Sequence, residues 1–402
     1  MYNCFKTVPV FIFGKERYDL NMTIYNAEIH TMEGGEPFFG YVSFEGGAIT
    51  DIGKGKPPKI LESDFDAKNN KLFPGFIDAH SHIGLIGDGM GAEGEDVNED
   101  TDPVTPHLRT IDGINCFDRC FSDAAECGVT CAVTGVGSSN PIGGDFIAVK
   151  TYGRTADEML IKKIGIKFAL GENPKSTFSD KDSAPVTRMA TAAIIREALF
   201  KAKRYLEDKN DAMENEESLP EFDIKSEALI PLLEHKLAAH FHCHRADDIM
   251  TAVRIAKEFD LDYVLIHCTE GHRIADILGK EKARAVVGPV ICDRGKPELS
   301  ELTTANAGVL FDNGVKTAIC TDHPEIPVQY LFASAAYCVK AGLPREEALK
   351  SITINAAEIA GIADRTGSIK VGKDADFALF DGDPLEIMTK CTAVFINGQR
   401  RK

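Results

Sequence analysis

No apolar run in this chain approaches the roughly 20 residues that a membrane-spanning helix needs. Basic residues are also in short supply: 45 Lys and Arg stand against 62 Asp and Glu, a net charge of −17. That balance disfavours nucleic acid and anionic membrane as partners. The first 21 residues, MYNCFKTVPVFIFGKERYDLN, lack the basic start and small-residue cleavage site of a secretory signal, although VPVFIF is apolar. Cysteine lacks a pairing pattern, since the 11 thiols are odd in number and scattered. Reduced thiols in a cytoplasmic protein are expected. Cys116, Cys120, Cys127 and Cys131 are not spaced as C-x2-C pairs. They read as small buried hydrophobes where a helix meets a strand, not as a metal site.

What is present is a soluble globular composition, 44% hydrophobic and 27% charged, over 402 residues. That length suits one large barrel with an appendage. Residues 1–21 read as a loose extension, because Met22 opens MTIYNAEIHTM, a natural first strand. Short alternating stretches broken by Gly-Gly and Gly-Lys pairs follow, and GSIKVGKDADFALFDGDPL with CTAVFINGQR has the same texture. Both ends of the chain are therefore β.

Between about residues 73 and 365, eight apolar strand-like runs appear: LFPGFIDAH, VTCAVTG, DFIAVKT, IGIKFAL, KLAAHFHCH, DYVLIHC, ARAVVG and VKTAICTD. Amphipathic helical patterns separate most of them. Eight strand-helix units predict an α/β fold, a TIM-type (β/α)8 barrel. The acidic stretch EDKNDAMENEESLPEFD (residues 207–223) interrupts the pattern and reads as a solvated loop.

A barrel of this kind works at the C-terminal ends of its strands. Strand one ends in His80 and His82, two apart and so on one face. Strand five ends in His240, His242 and His244, strand six in His267 and strand eight in Asp322. A buried unpaired polar group costs roughly 1–3 kcal/mol. Four strand ends of this kind point to a shared partner, a divalent metal, with zinc foremost and iron, manganese or nickel as alternatives. On strand four, Lys167 lies inside an apolar run, either carboxylated by carbon dioxide to bridge two ions or simply paired or snorkelling. Glu172, just beyond, is the other bridging candidate.

The strand FPGFIDAHSH, the histidine-ending strands, the CTDHP tip and the closing GSIKVGKDADFALFDGDPL together resemble the amidohydrolase superfamily, near imidazolonepropionases and metal-dependent Xaa-Pro dipeptidases. The resemblance spans about residues 22–402. It implies a small β-sandwich assembled from residues 1–72 and 366–402, flanking a barrel of residues 73–365. It further implies His80, His82, His242, His267 and Asp322 as metal ligands, with Lys167 or Glu172 bridging in two-metal members. His244 would then face substrate, and His240 would point deeper. Deaminases of the superfamily carry a glutamate three residues after the strand-five histidine; Arg245 stands there.

The expected chemistry is hydrolysis of a C–N amide bond, cyclic or next to proline, in a small-molecule substrate. Asp322 would move the proton, and His267 or His244 would steady the oxyanion. Arg245, His272 and Arg109 are candidate partners for a substrate carboxylate. The acidic loop GDGMGAEGEDVNEDTDPVTPHL, with Glu95, Asp96 and Glu99, is a candidate lid or specificity loop, or a solvated connection. A deaminase and a metal-free scaffold on the same barrel remain as other readings, and a homo-oligomer is compatible with all of them.

Overall fold

The computed structural model describes residues 21–402. The loose extension expected over residues 1–21 lies outside them, apart from Asn21. Among the described residues, sixteen strands form two sheets of eight.

The first sheet joins both ends of the chain. It takes β1 (Met22–Ile29), β2 (Phe38–Glu45), β3 (Ala48–Lys54), β4 (Phe65–Asp66) and β5 (Lys71–Pro74) from one side. From the other side come β14 (Phe377–Phe380), β15 (Cys391–Ile396) and β16 (Gln399–Arg400). β5 meets β14 antiparallel, pairing Leu72 with Leu379 and Pro74 with Phe377. Ile24, Val42, Phe44, Leu72, Phe377 and Phe395 form its buried cluster.

The second sheet is the barrel, built from β6 (Phe76–Ser81), β7 (Val129–Gly135), β8 (Ile142–Lys150), β9 (Leu160–Ala169), β10 (Ala238–Cys243), β11 (Tyr263–His267), β12 (Arg284–Val287) and β13 (Lys316–Ile319). These are the eight runs picked out by apolarity, but one of them runs the other way. β8 pairs antiparallel with both β7 and β9. Only six residues separate β7 from β8, whereas a parallel crossover needs a dozen or more. The third strand-helix unit is thus a hairpin, and β8 begins at the barrel mouth where its neighbours end.

The acidic stretch also differs from expectation. The helix Arg188–Glu214 runs through its first half, held by buried Ile195, Leu199 and Ala202 at helical spacing. Thr187 caps it by accepting from the Ala190 N–H at 3.1 Å.

β6 and β13 share no ladder, so the barrel closes by other means. The Asp322 N–H donates to the His80 carbonyl (3.1 Å) and the His82 N–H to the His323 carbonyl (2.9 Å). Asp78, fully buried, accepts from the Thr321 N–H at 3.0 Å and from the Thr321 hydroxyl. Burial pushes its carboxyl up to about 7 against those hydrogen bonds. Asp78→Ala is expected to lower stability by about 1–3 kcal/mol by stranding two buried donors. Urea denaturation measures this; an unchanged midpoint would show that the seam closes without it.

The opposite end of the barrel is sealed by charge. Lys150, at the end of β8 and 1% exposed, donates to Asp374 at 2.8 Å and to Asp376. Burial pulls its pKa down, but Asp376 and Asp374 outweigh it and hold the ammonium above its ordinary value. Asp374 also takes a two-pronged contact from Arg365 at 3.0 and 2.8 Å. The closing segment KDADF therefore supplies the counterions for a lysine buried in the barrel.

Candidate metal centre

His80 and His82 reach the mouth because β6 is bulged. Asp78 pairs with Ala132 but Ser81 pairs with Thr134, so β6 carries one residue more than β7 over that span. The extra residue breaks the alternation, and Asp78 turns to the β13 seam while His80 and His82 enter the barrel. His267 is brought in differently. Its neighbour Leu265 packs in the outer core, and plain alternation would send His267 outward too. Left-handed φ values of 69° at His267 and 48° at Cys268 re-aim the strand tip. Asp322 also has a left-handed φ, 54°. Such conformations persist where the surroundings enforce them.

The side chains gather in two contiguous trios. Donor atoms of His80, His82 and Asp322 lie within 4.8 Å of one another, as do those of His242, His244 and His267. Asp322 Oδ1 is 3.4 Å from His82 Nε2 and 3.6 Å from His80 Nε2, and Oδ2 is 3.9 Å from His267 Nδ1. His244 stacks on His267 with centroids 4.5 Å apart, and His242 sits 4.6 Å from the same ring. Lys167 Nζ lies 3.5 Å from His80 Nε2.

Hydrogen bonding fixes two of the rings. His82 Nδ1 pairs with the Gly135 carbonyl and His267 Nδ1 with the Gly288 carbonyl, each at 2.7 Å. A carbonyl only accepts, so Nδ1 carries the proton and Nε2 is left as a lone pair, the arrangement of a metal-ligating histidine. Burial drives His80, His242 and His244 well below the ordinary imidazole range, and His267 to about 4. These rings are neutral and able to ligate. Burial raises the Asp322 carboxyl, but His267 and His82 more than reverse this and bring it to about 2. His80 Nδ1, His242 Nδ1 and Asp322 Oδ1 are buried without a hydrogen-bond partner. The donor set, neutral imidazoles with one carboxylate, fits a divalent cation.

The other candidates are dispersed. His240 stacks on Phe146 at 5.5 Å, below the mouth, with His80 on the same ring at 5.0 Å. Glu172 opens the helix Glu172–Ser179, and its backbone N–H donates to Glu298 at 3.0 Å. Arg245 is occupied at the surface by Asp247 (2.9 Å), and Arg109 faces Asp112 at 4.0 Å with both side chains exposed. His272 Nδ1 is 3.2 Å from the Thr269 carbonyl. The acidic loop is pinned: the Asn140 amide donates to the carbonyls of Glu99 and Asp102 at 2.6 and 2.7 Å.

Several residues at the mouth escaped the sequence reading. Thr269 holds His244 Nδ1 at 2.8 Å. Glu298, 1% exposed, has one oxygen 3.8 Å from His244 Nε2, and that oxygen has no hydrogen-bond partner. Asn173 Nδ2 lies 3.5 Å from His242 Nε2. Thr269 and Glu298 lie in the connections that follow β11 and β12, and Asn173 in the helix Glu172–Ser179, so the strand pattern carries no signal for any of them.

The amidohydrolase family model matches residues 213–401. Over 393 residues the chain is 30% identical to amidohydrolase tasK of Hapsidospora irregularis, covering 90% of this chain but 40% of that protein. The chain thus spans well under half of that relative. It is 25% identical over 386 residues to an imidazolonepropionase of Treponema denticola, covering 87% of each. Among solved structures, an amidohydrolase from Thermotoga maritima superposes with a TM-score of 0.91 at 38% identity, covering 94% of this chain and 99% of that one.

Proposed function

The chain belongs to the amidohydrolase family, and from that premise we propose that it hydrolyses a C–N amide bond in a cyclic amide or dipeptide-like small molecule, using a divalent metal at the barrel mouth. The observation that carries this reading is the convergence of His80, His82 and Asp322 with His242, His244 and His267, with donor atoms facing one another and no protein partner for several of them. His80, His82, His242, His267 and Asp322 would hold the metal. When bound, a divalent ion acidifies water and polarises a carbonyl.

The chain's own groups supply the rest. Asp322 is ionised and presents Oδ1 without a protein partner. It accepts a proton from the attacking water and returns it to the leaving nitrogen. His244, whose Nδ1 is held by Thr269, lines the space where negative charge develops on the carbonyl oxygen, and an N–H at its Nε2 stabilises it. His267 has no N–H to spare, since its Nδ1 is engaged by the Gly288 carbonyl.

Elemental analysis of the purified protein, with turnover on a panel of cyclic amides and dipeptides, tests this reading. Bound zinc or a related ion with release of a carboxylate and an amine is the expected result. A metal-free protein without amide turnover would overturn it, and so would ammonia release from an aminated heterocycle.

Lys167 fits a bridging role better than Glu172. It is fully buried, and burial pulls its amine down to about 8 against the opposing charge of Asp322. A neutral amine attacks carbon dioxide, forming the N–C bond and releasing a proton. Bicarbonate during reconstitution is therefore expected to raise metal content toward two ions per chain, and Lys167→Ala to remove that response. Two ions bound without bicarbonate, kept in Lys167→Ala and lost in Glu172→Gln, would assign the bridge to Glu172.

A further inference from the structure

The connection between β12 and β13 carries two cations, Arg294 and Lys296, and among the described residues neither has a carboxylate oxygen within 4.0 Å, although Lys296 is close enough to Glu298 to lower its carboxyl against burial. Lys296 Nζ donates to the Asn173 side-chain oxygen at 3.0 Å, and Arg294 donates to the Leu302 carbonyl at 2.7 Å. Other lysines around the acidic loop are neutralised directly, Lys181 by Asp100 at 2.6 Å and Lys225 by Asp102 at 2.5 Å. Lys296 is exposed, so its ammonium is open to a ligand that arrives from solvent.

Its position gives it a use. The Asn173 amide that accepts from Lys296 also donates to the Ser138 hydroxyl at 2.7 Å and lies 3.5 Å from His242 Nε2. One amide side chain therefore separates the ammonium from the histidine cluster.

Building on the amide hydrolysis proposed above, we infer that Lys296 binds a carboxylate of the substrate. The preferred substrates are then amides with a free carboxylate close to the scissile bond. A single ammonium matches a single negative charge. A phosphate dianion would add repulsion from Glu172 and Glu298 without a second close donor. Arg245 and Arg109 do not compete for the carboxylate, because each is turned to an aspartate at the surface.

The test compares the metal-loaded full chain with Lys296→Met and Lys296→Arg. Each acts on dipeptides with a free C-terminal carboxylate and on the same dipeptides capped as carboxamides. The parent is expected to favour the free acid in kcat/KM by about 10- to 100-fold, the range of a hydrogen bond to a charged group. Lys296→Met should bring that ratio close to one, mainly through KM, and Lys296→Arg should keep most of it. Equal use of both forms by the parent, or an unchanged ratio in Lys296→Met, overturns the inference. Should no amide be turned over, the hydrolase reading fails separately. Calorimetric binding of N-acetylglycine against its carboxamide then still decides, since an equal Kd for the two, or discrimination surviving in Lys296→Met, counts against Lys296.

Discussion

Replacing His80 and His82 together by alanine is expected to abolish stoichiometric metal binding and to bring amide turnover below detection, while the barrel stays folded. Both imidazoles face Asp322 Oδ1, at 3.6 and 3.4 Å, so Asp322 keeps only His267, at 3.9 Å, as a histidine neighbour once they are gone. The backbone bonds that close the seam are untouched, because they use the His80 carbonyl and the His82 N–H. Stability will fall by a few kcal/mol, about 2–5, since the His80 ring is buried against Phe146 and leaves a cavity. Metal analysis and circular dichroism on one sample separate the two effects. Asp322→Asn offers a graded comparison, with kcat lowered about 10²- to 10⁴-fold for loss of a proton acceptor. Unchanged metal stoichiometry in the double variant would mean that the ion sits elsewhere.

The second large effect is on folding. Lys150→Ala leaves Asp376 buried at the closed end of the barrel without its ammonium, while Asp374, half-buried, keeps Arg365. Breaking a buried pair in this way costs about 3–5 kcal/mol, because an uncompensated charge remains. Lys316→Ala removes a comparable contact, to Glu358, but with both side chains partly exposed. That loss should stay within about 1 kcal/mol. Lys150→Met combined with Asp376→Leu should recover much of the deficit, since apolar groups of similar volume tolerate burial. Denaturation midpoints for the three variants check the order, and equal losses in Lys150→Ala and Lys316→Ala would refute the seal.

The barrel was legible in the sequence because strands covered on both faces are written as unbroken apolar runs, and all eight were found that way. Their polar tips exposed His80, His82, His242, His267 and Asp322 for the same reason. The direction of β8 was missed by attending to the runs and not to the gap of six residues before it. Residues 207–214 read as loop by charge, although Glu, Lys, Ala and Met are good helix formers and simply extend Arg188–Glu214. Asp78 was invisible as a seam residue because a bulge changes the parity of β6, and no pattern announces a bulge. His267 was assigned to the site from its place at a strand tip, yet a backbone turn at φ 69° is what delivers it there. Glu298, Asn173 and Lys296 lie outside the strands, with neighbours in space that are far away in sequence, so nothing local marks them.

The pairing of Lys150 with Asp374 spans 224 residues, which has a consequence for the order in which the protein forms on the ribosome. Translation at about 5–20 residues per second puts the aspartates on the order of ten to fifty seconds behind the lysine. During that interval β8 can dock only with an ammonium still in need of water, so the nascent barrel must wait, open at its base, for the segment that closes it.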